Sequence, residues 1–256
     1  MAITPSGVIT WGVLPDGCLE RVLVCSPHFD DAALGAAHML FAHPGSTVVT
    51  AFGGPPARYP DPPTEWDALG GFGAGDDVVA LRREEDRAAM RVLGATPIWL
   101  DFVDHQYLAP AERADPKEIA AALAEVVVSV EPTAVFLPMG LANPDHVALH
   151  DAGVLLAPDH PEPKWFCYED SGYKHIPGLL AWRIAKLFAS DRWPTPMIVP
   201  VDVDHERKRA AIECYVSQLP PLNRDHSLGA RIGGGAPEQF WLLEPPPPGW
   251  ERLREV

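Results

Sequence analysis

The sequence predicts an α/β protein, a Rossmann-like three-layer sandwich with a mostly parallel central sheet, and three observations carry that prediction. Short apolar runs of strand length recur along the chain, the first of them Val22 to Cys25. Between them stand helical stretches of about ten to sixteen residues, so that strands and helices alternate as βαβ units, which pair in parallel. The chain has 256 residues, 47% of them apolar and 21% charged, which is ordinary globular material and enough for one large core. No internal repeat is visible. Residues 1–256 therefore read as a single domain, with an N-terminal arm over 1–20, a lid loop over 53–77 and a loop-rich tail over 218–256.

Taken in order, Trp11 and Leu14 are expected to pin the arm to the body. After the first strand, Ala32 to Phe41 is small and apolar and reads as a helix, with Asp31 placed to cap it. Thr47 to Phe52 is a second strand. The segment from Gly53 to Asp77 holds six glycines and five prolines, together with Tyr59, Trp66 and Phe72, a composition that suits a cover over a ligand. Val78 to Leu93 is a strong helix stopped by Gly94. Ile98 to Phe102 is the third strand, and Pro116 opens a helix running from Lys117 to Val130. Ala134 to Met139 is the fourth strand and His146 to Leu156 a helix. Beyond it come a strand from Trp165 to Tyr168, a helix from Leu179 to Ala189 and a strand from Met197 to Val201. A charged helix from His205 to Val216 and a strand-like run from Phe240 to Leu243 complete the reading.

Charge narrows the function. The formal net charge of -15 argues against nucleic acid and anionic membrane as partners, since either needs a basic face. No apolar run approaches the ~18 residues of a membrane span, and the first 20 residues contain neither Lys nor Arg, unlike a secretory leader. Cys18, Cys25, Cys167 and Cys214 form no C-x-x-C pair, and two of them sit in apolar runs as small hydrophobes. A reducing cytoplasm is the expected compartment. A homo-oligomer is compatible with all of this.

Chemistry gathers after two of the strands. His28, Asp30 and Asp31 follow the first, and Asn143, Asp145 and His146 follow the fourth. In an open parallel sheet, ligands bind at the carboxyl ends of the strands, so both clusters belong to one edge. His28, Asp31 and His146 supply two imidazoles and a carboxylate, the donor set of a catalytic zinc that keeps a further position open. Asp145 is placed to orient a neighbouring imidazole. Each residue alone also has an ordinary reading: Asp31 as a helix cap, His146 as a helix-start residue, and His150 as a chance H-x-x-x-H partner. It is the repeated pattern of apolar strand followed by a His/Asp cluster that favours a metal. No G-x-G-x-x-G follows the first strand, which discounts a dinucleotide site.

Pro27-His28-Phe29-Asp30-Asp31 and Asn143-Pro144-Asp145-His146 resemble the two signatures of the PIG-L/LmbE-like zinc N-deacetylases, and the similarity extends from about Arg21 to Leu219. Arg82-Arg83-Glu84-Glu85 before Leu93-Gly94, Leu100 to Tyr107, Tyr168-Glu169-Asp170 and Lys208 to Gln218 support it. The resemblance implies that His28, Asp31 and His146 hold one Zn2+ per chain and that Asp30 is the general base. It places Arg82 in contact with substrate and Asp104 near it; the plain alternative for Arg82 is an exposed helix residue pairing with Asp86. Phe29 replaces the family's usual proline, and Ala32 a common acidic residue. Asn143 stands where the family has a histidine that assists the transition state and the leaving amine. An amide can donate a hydrogen bond to an oxyanion but cannot transfer a proton near neutral pH.

The expected reaction is removal of an acyl group from an N-acyl amino sugar or a glycosylated natural product. Asp30 would take a proton from water and return it to the amine, with His105, His175 and His226 as other donors to weigh. The rival expectations are a non-catalytic binding member of the fold, which Asn143 favours, and an amidase acting on a different small-molecule amide.

Overall fold

The computed structural model describes residues 14, 17–197, 201–227, 238–246 and 249. Seven strands form one sheet: β1 (Val22–Ser26), β2 (Thr47–Thr50), β3 (Thr96–Trp99), β4 (Ala134–Pro138), β5 (Lys164–Tyr168), β6 (Trp193–Met197) and β7 (Phe240–Glu244). Their order is β3-β2-β1-β4-β5-β7-β6. The first five run parallel, while β7 is antiparallel to both its neighbours. This is the expected α/β sandwich with a mostly parallel sheet.

Among the described residues, eight α-helices connect and cover the strands: α1 (Asp31–Ala42), α2 (Glu65–Leu69), α3 (Val78–Leu93), α4 (Pro116–Val130), α5 (Pro144–Leu156), α6 (Leu179–Ala189), α7 (His205–Ile212) and α8 (Leu219–His226). The alternation of side chains along each strand divides the core in two. On one face Val24, Phe136 and Phe166 pack with Ala36, Met90 and Tyr215 from the side of α1, α3 and α7. On the other, Leu23, Val135 and Cys167 pack with Leu123, Leu149 and Leu187 of α4, α5 and α6. All five residues of β1 and of β4 are buried, as strands covered on both faces must be.

The helix ends follow their sequence signals. Asp77 accepts from the amide of Ala80, 3.1 Å away, at the start of α3, and Gly94 ends it at φ 75°. Asp115 and Glu118 form a capping box around Pro116 on α4. Asp31 departs from expectation: it is the first residue of α1, not its cap. Its carboxylate accepts from the backbone of His28 at 3.0 Å, and Ser26 Oγ accepts from the amide of Ala32 at 3.0 Å instead.

Other boundaries move. The strand expected over Met197 to Val201 is β6, ending at Met197, with residues 198–200 outside the described ones. Pro194 and Pro196 argue against a strand in the middle of a sheet, but β6 is an edge, where proline is tolerated. The tail read as loop holds α8, whose Pro220 and Pro221 occupy the first turn, where an amide proton has no partner to lose. The strand-like run expected at Phe240 is β7, which lies between β5 and β6. Segment 53–77 contains α2, started by Thr64 accepting from Asp67 at 3.1 Å. Leu14 packs against the core; Trp11 lies outside the described residues. No described helix is long and apolar enough to cross a membrane.

One topological fact places the chemistry. The chain leaves β1 toward β2 on one side and reaches β4 on the other, with Val22 paired to Ala134 and Val24 to Phe136. The order reverses between β1 and β4, and the crevice at such a reversal opens beyond their carboxyl ends. The two His/Asp turns border that crevice.

Candidate metal centre

His28 and Asp31 lie on the turn from β1 into α1, and His146 on the first turn of α5. The turn after β4 needs Gly140, at φ 75°, where a Cβ would stand 2.6 Å from that of His150. Asn143 then starts α5, its Oδ1 accepting from the amide of Asp145 at 2.8 Å.

Asp31 Oδ2 is 3.3 Å from His28 Nδ1 and 3.2 Å from His146 Nε2, and the three donor atoms all lie within 4.8 Å of one another. Donors held at about 2.0–2.1 Å around a tetrahedral ion stand about 3.3 Å apart, so these separations are those of an ion's coordination edge. Carboxylates stand behind both rings. His28 Nε2 is 2.9 Å from Asp145 Oδ2, and His146 Nδ1 is 2.8 Å from Asp170 Oδ1. Each ring is thus held at its far nitrogen by a carboxylate and presents its other nitrogen toward Asp31, where it can serve an ion, the arrangement by which a carboxylate orients a metal-binding histidine. Asp170 is itself fixed, since its Oδ2 accepts from the amide of Leu141 at 2.8 Å. The three residues fit a single divalent ion.

The electrostatics agree. Burial opposes charge on His28, but Asp104, Asp145 and Asp31 outweigh it and hold its pKa well above 6.5. Burial likewise opposes charge on His146, and Asp31 and Asp170 raise it to about 9. Asp31 is held well below the usual carboxylate range, its burial overcome by His146 and His28. A pocket that draws protons onto its imidazoles so strongly has the field to draw a cation in their place. Asp30 is different: burial, then the charge of Asp31, push it up to about 7.

The site opens into a cavity of about 240 Å³ lined by His28, Asp30 and Asp31, by Arg82, Asp104, His105 and Asn143, and by Phe29, Phe52 and Trp66 among its apolar residues. Arg82 is 5% exposed; it does not pair with Asp86 on the helix surface. Its guanidinium is 3.0 Å from Asp67 Oδ1 and lies over the ring of Phe72, 5.3 Å from its centre. Asp86 instead accepts from Trp99 and Tyr215. Asp104 accepts from the backbone and side chain of Gln106, both at 2.9 Å. Asp145 is buried between His28 and His105, and His105 Nδ1 stands 2.9 Å from its Oδ2. Of the three aromatic residues expected over a ligand, Trp66 lines the cavity, whereas the Tyr59 hydroxyl donates to Asp77.

His28, Asp104, His105 and Asp145 form a second compact donor group. It shares His28 with the first, and the Nε2 proton that His28 gives to Asp145 is the one a second ion would have to displace. His150 belongs to neither group. Its Nδ1 donates to the carbonyl of Pro138 at 2.8 Å, and its pKa is pushed down to about 3 by burial, then by Arg183. In the sequence Asp170 stands out only within the Tyr168-Glu169-Asp170 match; its place two residues beyond the end of β5, on the edge shared with β1 and β4, is the signal that points to it.

Residues 23–157 match the model of the family described as PIG-L, GlcNAc-PI de-N-acetylase. No protein of curated function matches the chain. Among solved structures, the A40926 pseudoaglycone deacetylase Dbv21 is 24% identical with a TM-score of 0.71, over 89% of this chain and 98% of that one. The zinc-inhibited form of teicoplanin deacetylase Orf2 is 23% identical, also at 0.71, over 90% and 100%. The N,N'-diacetylchitobiose deacetylase of Pyrococcus horikoshii is 18% identical at 0.51, over 88% and 84%. These structures share the fold of this chain.

Proposed function

This chain belongs to the PIG-L, GlcNAc-PI de-N-acetylase, family, and on that footing we propose that it removes an acyl group, acetyl in the first instance, from the amide nitrogen of an amino sugar or a glycosylated small molecule. The observation that carries the proposal is the pair of imidazoles, each held from behind by its own carboxylate so that their other ring nitrogens both lie within 3.3 Å of one oxygen of Asp31.

His28, Asp31 and His146 would hold one Zn2+, whose donor preference they match and which supplies Lewis-acid polarisation of the amide carbonyl and acidification of water. Asp30 lines the same cavity and takes the proton of the attacking water. A base is most effective with its pKa near the working pH, and burial brings Asp30 to about 7. Asn143 gives one amide hydrogen to the Tyr173 hydroxyl at 3.3 Å; the second is available to the acyl oxygen as negative charge builds there. Asp145 acts through His28, which it orients. Arg82 and Asp104 are assigned to the sugar, Arg82 being held rigid by Asp67, and Trp66, within the lid segment 53–77, offers an apolar face for a ring.

A second reading, a binding protein without turnover, draws on Asn143, whose Oδ1 and one amide hydrogen are already spent on capping α5 and on Tyr173. Amine release from N-acetylglucosamine glycosides by the zinc-loaded protein separates the two. Asp30→Asn should keep its zinc and lose about 10²–10⁴-fold in turnover. No amine release at full zinc occupancy would leave only the binding reading, and undiminished turnover in Asp30→Asn would remove that residue from the reaction.

A further inference from the structure

The reaction needs a proton for the departing nitrogen, and Asn143 has none to give near neutral pH. Another cavity residue does. His105 follows β3 in a single helical turn, His105–Tyr107, which Asp104 caps by accepting from the amide of Gln106 at 2.9 Å. Its Nδ1 lies 2.9 Å from Asp145 Oδ2 and 3.2 Å from Asp104 Oδ1. Its backbone amide donates to the same Asp145 oxygen at 3.1 Å. A ring held through Nδ1 by carboxylates keeps Nε2 as its one nitrogen for outside work.

We propose that His105 is the catalytic acid of this chain, giving its Nε2 proton to the leaving amine in place of the residue that Asn143 replaces; the inference rests on the deacetylase reading above. Water forms the new C–O bond and its proton passes to Asp30. When the C–N bond breaks, its electron pair stays on nitrogen, which takes the proton from His105 and departs as the neutral amine. The side chain is 27% exposed, so solvent reloads the ring between turnovers. Asp30 then need not return the proton it took. Two further features fit. The carboxylates of Asp104 and Asp145 hold the His105 pKa up to about 9, so the ring carries its proton at neutral pH. Asp145 Oδ2 also accepts from His28 Nε2 at 2.9 Å, so one oxygen sets the position of the acid relative to an ion-binding imidazole.

The test compares His105→Gln with the parent on two substrates, together with zinc content. One substrate is an N-acetylglucosamine glycoside, whose amine must leave protonated. The other is 4-nitrophenyl acetate, whose phenolate leaves without a proton. The glycoside should lose about 10²–10³-fold in kcat/KM, mostly in kcat, while the ester loses less than about threefold and zinc stays at one per chain. Moving the donor, by Asn143→His in the His105→Gln background, should recover at least tenfold of the lost glycoside turnover. Equal losses on both substrates, or a double variant no better than His105→Gln, would overturn the assignment. So would a second zinc per chain that His105→Gln removes, since the ring would then be a ligand. A parent that carries its zinc but releases no amine would fail the deacetylase reading itself, an outcome distinct from a parent and a His105→Gln variant that are equally active.

Discussion

His146 and His150 lie one turn apart on α5, both buried, and the two neighbourhoods that receive them are opposites. His146 meets carboxylates at both ring nitrogens, Asp31 and Asp170, and is driven toward its charged form. His150 meets a carbonyl, a thiol and the cations of Arg183 and Lys186, and is driven toward its neutral form. Helical spacing does not separate these residues. What separates them is which part of the sheet each one faces: the ends of β1 and β5 for the first, the β4 carbonyl and the Gly140 turn for the second. A histidine pair at i, i+4 here holds two residues with opposite electrostatic surroundings, and only those of His146 suit an ion.

That contrast can be broken most severely at His146. His146→Ala should strip the chain of zinc and lower turnover by about 10³-fold or more, since an open catalytic site has only three protein donors; metal analysis and amine release report it, and retention of stoichiometric zinc would remove His146 from the donor set. Asp170→Asn attacks the same imidazole from behind. It should weaken zinc binding by about 10–100-fold without abolishing it, because the orienting carboxylate is lost while the donor stays. A competition titration with a chelator measures this, and an unchanged affinity would mean that Asp170 serves only the amide of Leu141.

The smallest effect belongs to His150. Its folded pKa of about 3 lies below the ordinary 6.5, so the unfolded chain binds one more proton between those values. The stability His150 contributes is fully present above pH 6.5 and falls away as the pH drops toward 3, by up to about 1.4 kcal/mol per unit. His150→Gln should keep its zinc and show a shallower acid slope, by one proton, in denaturant unfolding from pH 6.5 downward. Parallel slopes for variant and parent would show that His150 does not stay neutral in the folded protein.

Much of this was legible in the sequence, for identifiable reasons. Val22 to Cys25 announces a buried parallel strand because burial on both faces removes any alternation. Two such strands ending in His/Asp turns sufficed to bring His28, Asp31 and His146 together, since the crevice between β1 and β4 is a property of topology. The rest depended on contacts distant in sequence. Asp170 reaches His146 from a different strand. Asp67 pairs with Arg82 across a glycine- and proline-rich segment that hides a short helix. In the sequence His105 is one loop histidine among three, and only the folded chain shows it clamped by Asp104 and Asp145. The prolines of β6 and α8 are accommodated for a simpler reason: they stand at a sheet edge and in a first helical turn, where their missing proton has no ladder to break.

The sheet carries a consequence for how this protein comes into being. Asp170 follows β5, and the outer side of β5 is closed by β7, residues Phe240–Glu244, with the amide of Glu169 donating to Gln239. On the ribosome, every donor atom exists long before the strand that seals their frame has been made. A chain ending before β7 would leave the outer edge of β5, the strand that leads to Asp170, without its partner, and an unpaired edge is what joins one chain to another.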